Sequence, residues 1–342
     1  MMRLLASAAV ALWLLAATGA APADSPASAY HVVKKIPLGG EGSWDYLSVD
    51  EAARRLYITR GNRVTVVDLE KGTVAGEVPN TPGVHGVALV PKRSRGYSSN
   101  GGDSTVTAFN LETLHELARI KVGTRPDAIL YDPASDRVFT MNAGSRNVSA
   151  IDTETDKVVG TIPLGGKPEF AVADGQGHVY VNLEDKNEIV ELDARGLKLT
   201  HRWPIAPGKE PAGLAMDRKT RRLFSTCHNQ KMIVLDADSG KVIATPEIGK
   251  GTDACIFDPE TSLAFSSNGD GTLTVVQEKD GDKFEVVANV PTQAGARTMA
   301  LDAKTHNVYL VTARPKPAPA GAGRGQRRSF EPGSFVVLVV GK

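Results

Sequence analysis

Acidic residues recur at matched places along this chain. A short apolar segment repeats seven times. The two residues six and five positions before its last residue read Trp44-Asp45, His85-Gly86, Pro126-Asp127, Pro168-Glu169, Pro211-Ala212, Thr252-Asp253 and Ala296-Arg297. The second slot thus carries Asp45, Asp127, Glu169 and Asp253. The segment that follows each of these ends in a second polar set, Arg60, Asn100, Asn142, Cys227 and Asn268, with Asn182 and His228 near the corresponding places. Carboxylate and amide oxygens that converge on one point suit a hard divalent cation such as Ca²⁺, or a polyhydroxylated or cationic ligand. Crowded like charges also raise a carboxyl pKa towards the range used in acid–base work, which would allow hydrolysis of a lactone or similar ester.

A residue repeated at one position also tends to do one structural job in every repeat, such as bonding a neighbouring loop, and the Asp and Asn sets are open to that reading. Departures from the repeat carry more information. Trp44, His85, Arg297 and the Cys227-His228-Asn229 triplet are such departures. The candidate ligand-binding residues are therefore Trp44, Asp45, His85, Asp127, Glu169, His228, Asp253 and Arg297, and no catalytic residue is singled out. A metal set of Cys227, His228 and Asp253 is weakened because adjacent residues on a strand point to opposite sides.

The elements that must position these residues follow from a period-two pattern. Val138 to Gly166, VFTMNAGSRNVSAIDTETDKVVGTIPLGG, reads as three short strands joined by the turns AGSR and TETD. An inner strand precedes each such unit: YLSVD (Tyr46 to Asp50), GVALVP (Gly86 to Pro91), AILYD, FAVAD, GLAMD, ACIFD and TMALD. Their last residues, Asp50, Pro91, Asp132, Asp174, Asp217, Asp258 and Asp302, are 41, 41, 42, 43, 41 and 44 residues apart. A period in the forties with four strands per unit predicts an all-β, seven-bladed β-propeller over residues 30–341. The seventh blade runs out of chain before its outer strand. His31 to Gly39, HVVKKIPLG, matches Lys157 to Gly165, KVVGTIPLG, and is expected to supply it, closing the ring without an open edge. Residues 315–334, PKPAPAGAGRGQRRSFEPGS, break the repeat and read as an extended, mobile insertion within blade seven.

On these copies, together with LYITRGNRVTVVDLEKGTVAGEVP and AFSSNGDGTLTVVQ, the chain resembles the YVTN-type β-propeller repeat of the YncE-like proteins. The resemblance implies the fold and leaves the activity open. DADSGKVIA (Asp236 to Ala244) looks like the docking motif of pyrroloquinoline-quinone dehydrogenases but lacks its Trp. The single WD dipeptide, Trp44-Asp45, precedes the inner strand, where a WD repeat would not have it.

Composition narrows the function classes. Lys plus Arg number 40 against 39 Asp plus Glu, so nothing marks a strongly basic nucleic-acid binder. Aromatic residues make up 6%, too few for an aromatic carbohydrate platform. No G-x-S-x-G, H-E-x-x-H or phosphate-binding glycine loop occurs. Arg3, the apolar run Leu4 to Ala17 and the small residues Gly19 to Ala23 form an expected secretory signal, with cleavage after Ala20 or Ala23. The mature protein is expected in the periplasm or secreted, without a membrane span. Cys227 and Cys255 are expected to be buried free thiols, with a disulfide as the alternative. The expected function is binding of an unidentified ligand or partner protein around the central channel. A metal-dependent lactonase-like hydrolase and a pure interaction scaffold are the alternatives.

Overall fold

A computed structural model describes residues 29–280, 282–316 and 330–342. The expected signal at residues 1–23 lies outside them, as do residues 317–329 of the insertion. Seven four-stranded antiparallel sheets follow one another round a ring. Blade one, for example, is β2 (Leu47–Asp50), β3 (Arg55–Arg60), β4 (Arg63–Asp68) and β5 (Thr73–Val78), paired in that order. The middle strands have both faces buried between neighbouring blades, as RLYITR and RVTVVD illustrate, while the outermost strand is mostly exposed. Valine, isoleucine and aromatic side chains suit such flat, doubly covered sheets. Among the described residues, no helix is long and apolar enough to cross a membrane.

The ring closes as the sequence predicts. β1 (His31–Pro37) pairs antiparallel with β28 (Val336–Gly341), running from His31 opposite Gly341 to Pro37 opposite Val336. Ile36 of β1 is 3% exposed and packs in one cluster with Leu56, Val337 and Phe335. The blade-seven insertion is pinned at its base, where Pro315 bridges Phe330 and Glu331 donates its backbone N–H to Arg314 O at 2.8 Å.

The aspartate that ends most inner strands has a local job. Asp50 Oδ1 accepts the Ala53 amide at 2.9 Å, and Asp132, Asp217 and Asp258 accept turn amides in the same way. A short charged side chain at this place satisfies donors that the turn would otherwise leave free. Blade two differs. Its inner strand, β6 (Val84–Val90), stops at Val90, which pairs with Arg95 as Asp132 pairs with Arg137. Pro91 instead opens a 3₁₀ turn, Pro91–Arg93. The alignment on Pro91 is therefore one residue late, and Val90 is the equivalent position. His85 consequently moves from the first slot into the second, where the other blades carry their carboxylates.

Candidate functional site: the channel mouth

With this register, one position from each blade faces the mouth of the central channel, and round the ring it reads Asp45, His85, Asp127, Glu169, Ala212, Asp253 and Arg297. The backbone device that presents five of them, His85, Asp127, Glu169, Ala212 and Asp253, is a β-bulge at the start of the inner strand, while Asp45 and Arg297 precede theirs. In blade two Val84 pairs with Asn100 and Gly86 with Ser99, leaving His85 unpaired between them. Thr252 and Ala254 flank Asp253 likewise, and the register also shifts at Asp127, Glu169 and Ala212. An extra residue on the bulged strand is turned out of the pleat, which aims its side chain at the channel. The preceding blade holds several of these positions in place. Thr59 Oγ1 donates to His85 O at 3.1 Å, Asn182 Nδ2 to Ala212 O at 2.8 Å, Ser99 to Asp127 O and Ser267 to Arg297 O.

The side chains form a tight electrostatic cluster. His85 Nδ1 lies 2.6 Å from Asp45 Oδ2 and 3.6 Å from Asp127 Oδ1. Arg297 Nε lies 3.0 Å from Asp253 Oδ2. Lys167 Nζ stands 3.2 Å from Glu169 Oε2, yet off the hydrogen-bonding direction, so that this buried oxygen keeps no hydrogen bond. Burial, opposed by His85 and reinforced by Asp45, pushes the Asp127 carboxyl up to about 6. Burial and the Asp127 charge take Glu169 to about 8. Burial also takes Asp253 to about 7 against the pull of Arg297. The acids titrate as a linked set.

Tyr46 completes the site. Its ring reaches from blade one across to Phe170 of blade four, with centroids 4.9 Å apart, and is 6% exposed. Its hydroxyl makes no hydrogen bond among the described residues. Burial, together with the charges of Asp253, Glu169, Asp127 and Asp45, raises its pKa well above the usual value. Tyr46 and Phe170 escape a reading based on slots because they sit one residue further along. The available signal is size: the same position holds Gly86, Ala128, Gly213, Ala254 and Thr298 in the other blades.

Of the expected site residues, the structure brings together Asp45, His85, Asp127, Glu169, Asp253 and Arg297. Trp44 stands beside them, packed on Phe330 at 4.6 Å and Phe335 at 5.3 Å between ring centroids. His228 is exposed in the turn after β19 (Arg222–Cys227), and its side chain makes no hydrogen bond or ion pair among the described residues. The Cys227-His228-Asp253 set is not assembled, since Cys227 is fully buried beside Ile233 and Ile205 while His228 faces solvent. Cys227 and Cys255 are both buried free thiols.

The asparagines are structural. Asn100 Nδ2 donates to Thr105 and Thr107 of the next strand, Asn142 to Asn147 and Ser149, and Asn268 to Thr272 and Thr274. Each ties a hairpin through its amide nitrogen, and the oxygens of Asn100 and Asn268 accept from Ser98 and Ser266, while Asn142 Oδ1 is buried without a partner among the described residues. Arg60 is likewise engaged, its guanidinium 3.6 Å above the Phe335 ring and one Nη donating to Glu41 O. The cation-binding potential therefore rests on carboxylates and His85. Asp45, His85 and Asp127 each offer a ligand atom within 4.8 Å of the others.

No family model matches the chain, and no curated protein matches it. Solved structures do. Kuenenia stuttgartiensis hydrazine synthase matches at 16% identity and a TM-score of 0.70, over 80% of this chain and 92% of that one. The structure of U3-55K matches at 10% identity and 0.74, over 90% and 99%. The RRP9 WD40 repeats match at 10% identity and 0.74, over 91% and 98%. Similarity at this identity shows the propeller fold alone.

Proposed function

We propose that this chain is an exported propeller of the YVTN-repeat kind that captures a small ligand at the channel mouth, holding a positively charged group among Asp45, Asp127, Glu169 and Asp253. The observation that carries this reading is the convergence of acids on one channel mouth, where Asp45 and Asp127 stand 2.6 and 3.6 Å from His85 Nδ1 and burial and neighbouring charge hold Asp127, Glu169 and Asp253 above the ordinary carboxyl range. Carboxyls crowded in this way favour an added positive charge. A bound cation would relieve all of them at once. The basic, apolar and small-residue order of residues 3–23 supports export to the periplasm or beyond.

Calorimetric titration with Ca²⁺, Mn²⁺, Zn²⁺ and 1,5-diaminopentane tests the reading. Binding should displace protons from the acids, so the measured heat should vary with the ionisation enthalpy of the buffer. Absence of saturable heat for all four cations up to about 10 mM, a free energy below roughly 3 kcal/mol, would overturn it.

The Asp45, His85 and Asp127 geometry favours a second reading, a metal-dependent hydrolase of lactone-like esters. Two carboxylates and an imidazole suit a divalent ion with open positions, provided His85 gives up its proton. Lactone turnover that appears only with added metal would select it.

A further inference from the structure

Beside the acid ring, between the lead-in segments of blades six, seven and one, lies a cleft of about 850 Å³, within the usual size of a small-molecule site. Its chemistry is opposite to that of the ring. Arg297 faces both: its Nε meets Asp253, while its two Nη groups have no partner among the described residues. Lys250 is exposed at the cleft, and its Nζ also pairs with nothing among them. The one acid there, Asp270, is committed to the backbone. Its Oδ2 accepts the Lys250 amide at 2.7 Å and its Oδ1 the Thr272 amide and hydroxyl at 3.1 and 2.7 Å. The uncommitted charged groups of the cleft are thus two cations, with the Ser43 hydroxyl beside them.

The walls are flat. Towards blade six, three glycines from different loops form a ladder in which Gly269 N donates to Gly251 O and Gly295 N to Gly269 O, each at 2.9 Å. A Cβ on Gly269 would stand 3.1 Å from Gly251 O, a tight contact, and Gly251 and Gly295 hold φ of +69° and +84°, where other residues are strained. Towards blade one, the wall is the half-buried Trp44, fixed by its packing on Phe330. Bare backbone on one side, an indole on the other and a guanidinium with an ammonium between them suit a planar ring that carries an anionic group.

We propose that this cleft binds small aromatic carboxylates, with the ring against Trp44 and the carboxylate on Arg297 and Lys250. The site stands independently of a cation in the acid ring.

Trp44 reports on it directly. Trp203 is the other tryptophan among the described residues and is buried against Tyr180 and His201, and the sequence holds a third, Trp13, so the full chain carrying Trp13→Phe and Trp203→Phe isolates the Trp44 emission. Benzoate and 3-phenylpropanoate should change that emission saturably. Benzyl alcohol, which keeps the ring and loses the charge, and acetate, which keeps the charge and loses the ring, should bind at least about tenfold more weakly. Lys250→Met, on an exposed side chain that the fold does not use, and Arg297→Met should each raise the benzoate midpoint about fivefold or more. The series is run with and without EDTA, so that a failed cation site and a failed cleft are read separately. The proposal is lost if neither acid gives a saturable change below about 10 mM, or if Lys250→Met and Arg297→Met both leave the midpoint where it was.

Discussion

His85 of blade two donates its Nδ1 proton to Asp45 of blade one across 2.6 Å, with Asp127 of blade three 3.6 Å from the same nitrogen. One imidazole therefore joins three successive blades at the channel mouth. Burial disfavours its charge, but the hydrogen bond to Asp45 and the charges of Asp127, Asp45 and Glu169 outweigh burial and push its pKa up to about 9. At neutral pH the site holds an imidazolium, a resident cation that a metal must deprotonate to gain His85 as a ligand.

Replacing Asp45 by Asn removes the accepting charge and leaves the burial. The His85 imidazole should then titrate about one pH unit lower or more, a loss of ~1.4 kcal/mol per unit in the preference for the charged form. An NMR titration of the ring protons measures this, and an unchanged midpoint would break the assigned pairing.

Stability should fall as pH rises from about 5 to about 9. Asp127, Asp253 and Glu169 retain protons in the folded state, through about 6, 7 and 8, that the unfolded chain has already released. His85 acts in the same direction, its contribution being complete below its unfolded pKa and lost through about 9. At the acid end the sign reverses, because Asp174 and Asp302 have lowered pKa values and lose their bonded carboxylates as pH drops. Calorimetric melting across this range should show a maximum near pH 5, and Glu169→Gln should flatten the alkaline limb. A Tm that rises between pH 5 and 9 contradicts the assignment.

Tyr46 separates packing from ligand chemistry. Tyr46→Phe keeps the ring on Phe170 and removes a hydroxyl that bonds nothing among the described residues, so stability should change by no more than about 0.5 kcal/mol. Tyr46→Ala should cost ~3–5 kcal/mol as a buried aromatic lost from the core. If the proposed cation binds, the Phe variant should weaken it while leaving the urea midpoint in place. Equal destabilisation by both substitutions would assign the hydroxyl a structural role.

Asn100 provides the converse control. Its side chain is 0% exposed, accepts from Ser98 and donates to two threonines. Asn100→Ala should lower unfolding free energy by ~1–3 kcal/mol and leave cation titrations unaltered once the folded fraction is accounted for. A loss of cation binding in a fully folded variant would return the amide to the site.

The closing strand is testable through Ile36. Ile36→Ala in β1 should cost ~2–5 kcal/mol, and deletion of residues 30–39 should abolish the single cooperative transition. Retention of the full melting temperature in the deletion variant would mean that the ring does not depend on its terminal strand.

The architecture was legible because each blade repeats the same two devices, a period-two apolar pattern and an aspartate that caps the first turn. Where Pro91 replaces the capping device in blade two, the alignment slips by one residue and His85 is misplaced. Asn100, Asn142 and Asn268 look like ligands in sequence because they recur beside the acids. Their amides are consumed within hairpins, a pairing across strands that spacing does not reveal. Tyr46 was hidden for the opposite reason, since an aromatic at the start of a strand reads as core until its partner on the far side of the channel is known. His228 was a departure from the repeat that leads only to solvent. The glycine ladder beside Trp44 joins loops of different blades and cannot be read along one chain.

The pairing of β1 with β28 sets a condition on how the protein reaches its native state. His31 and Gly341 meet only after about 300 intervening residues have been made, so the last blade can be completed only after the other six have been synthesised. Until then, the six self-contained blades form an open arc whose end blades expose apolar sheet faces that the seventh blade will cover. The final docking step is long-range and slow by its topology, and it is the interval in which a copy of the same terminal strand from another chain could take the vacant place.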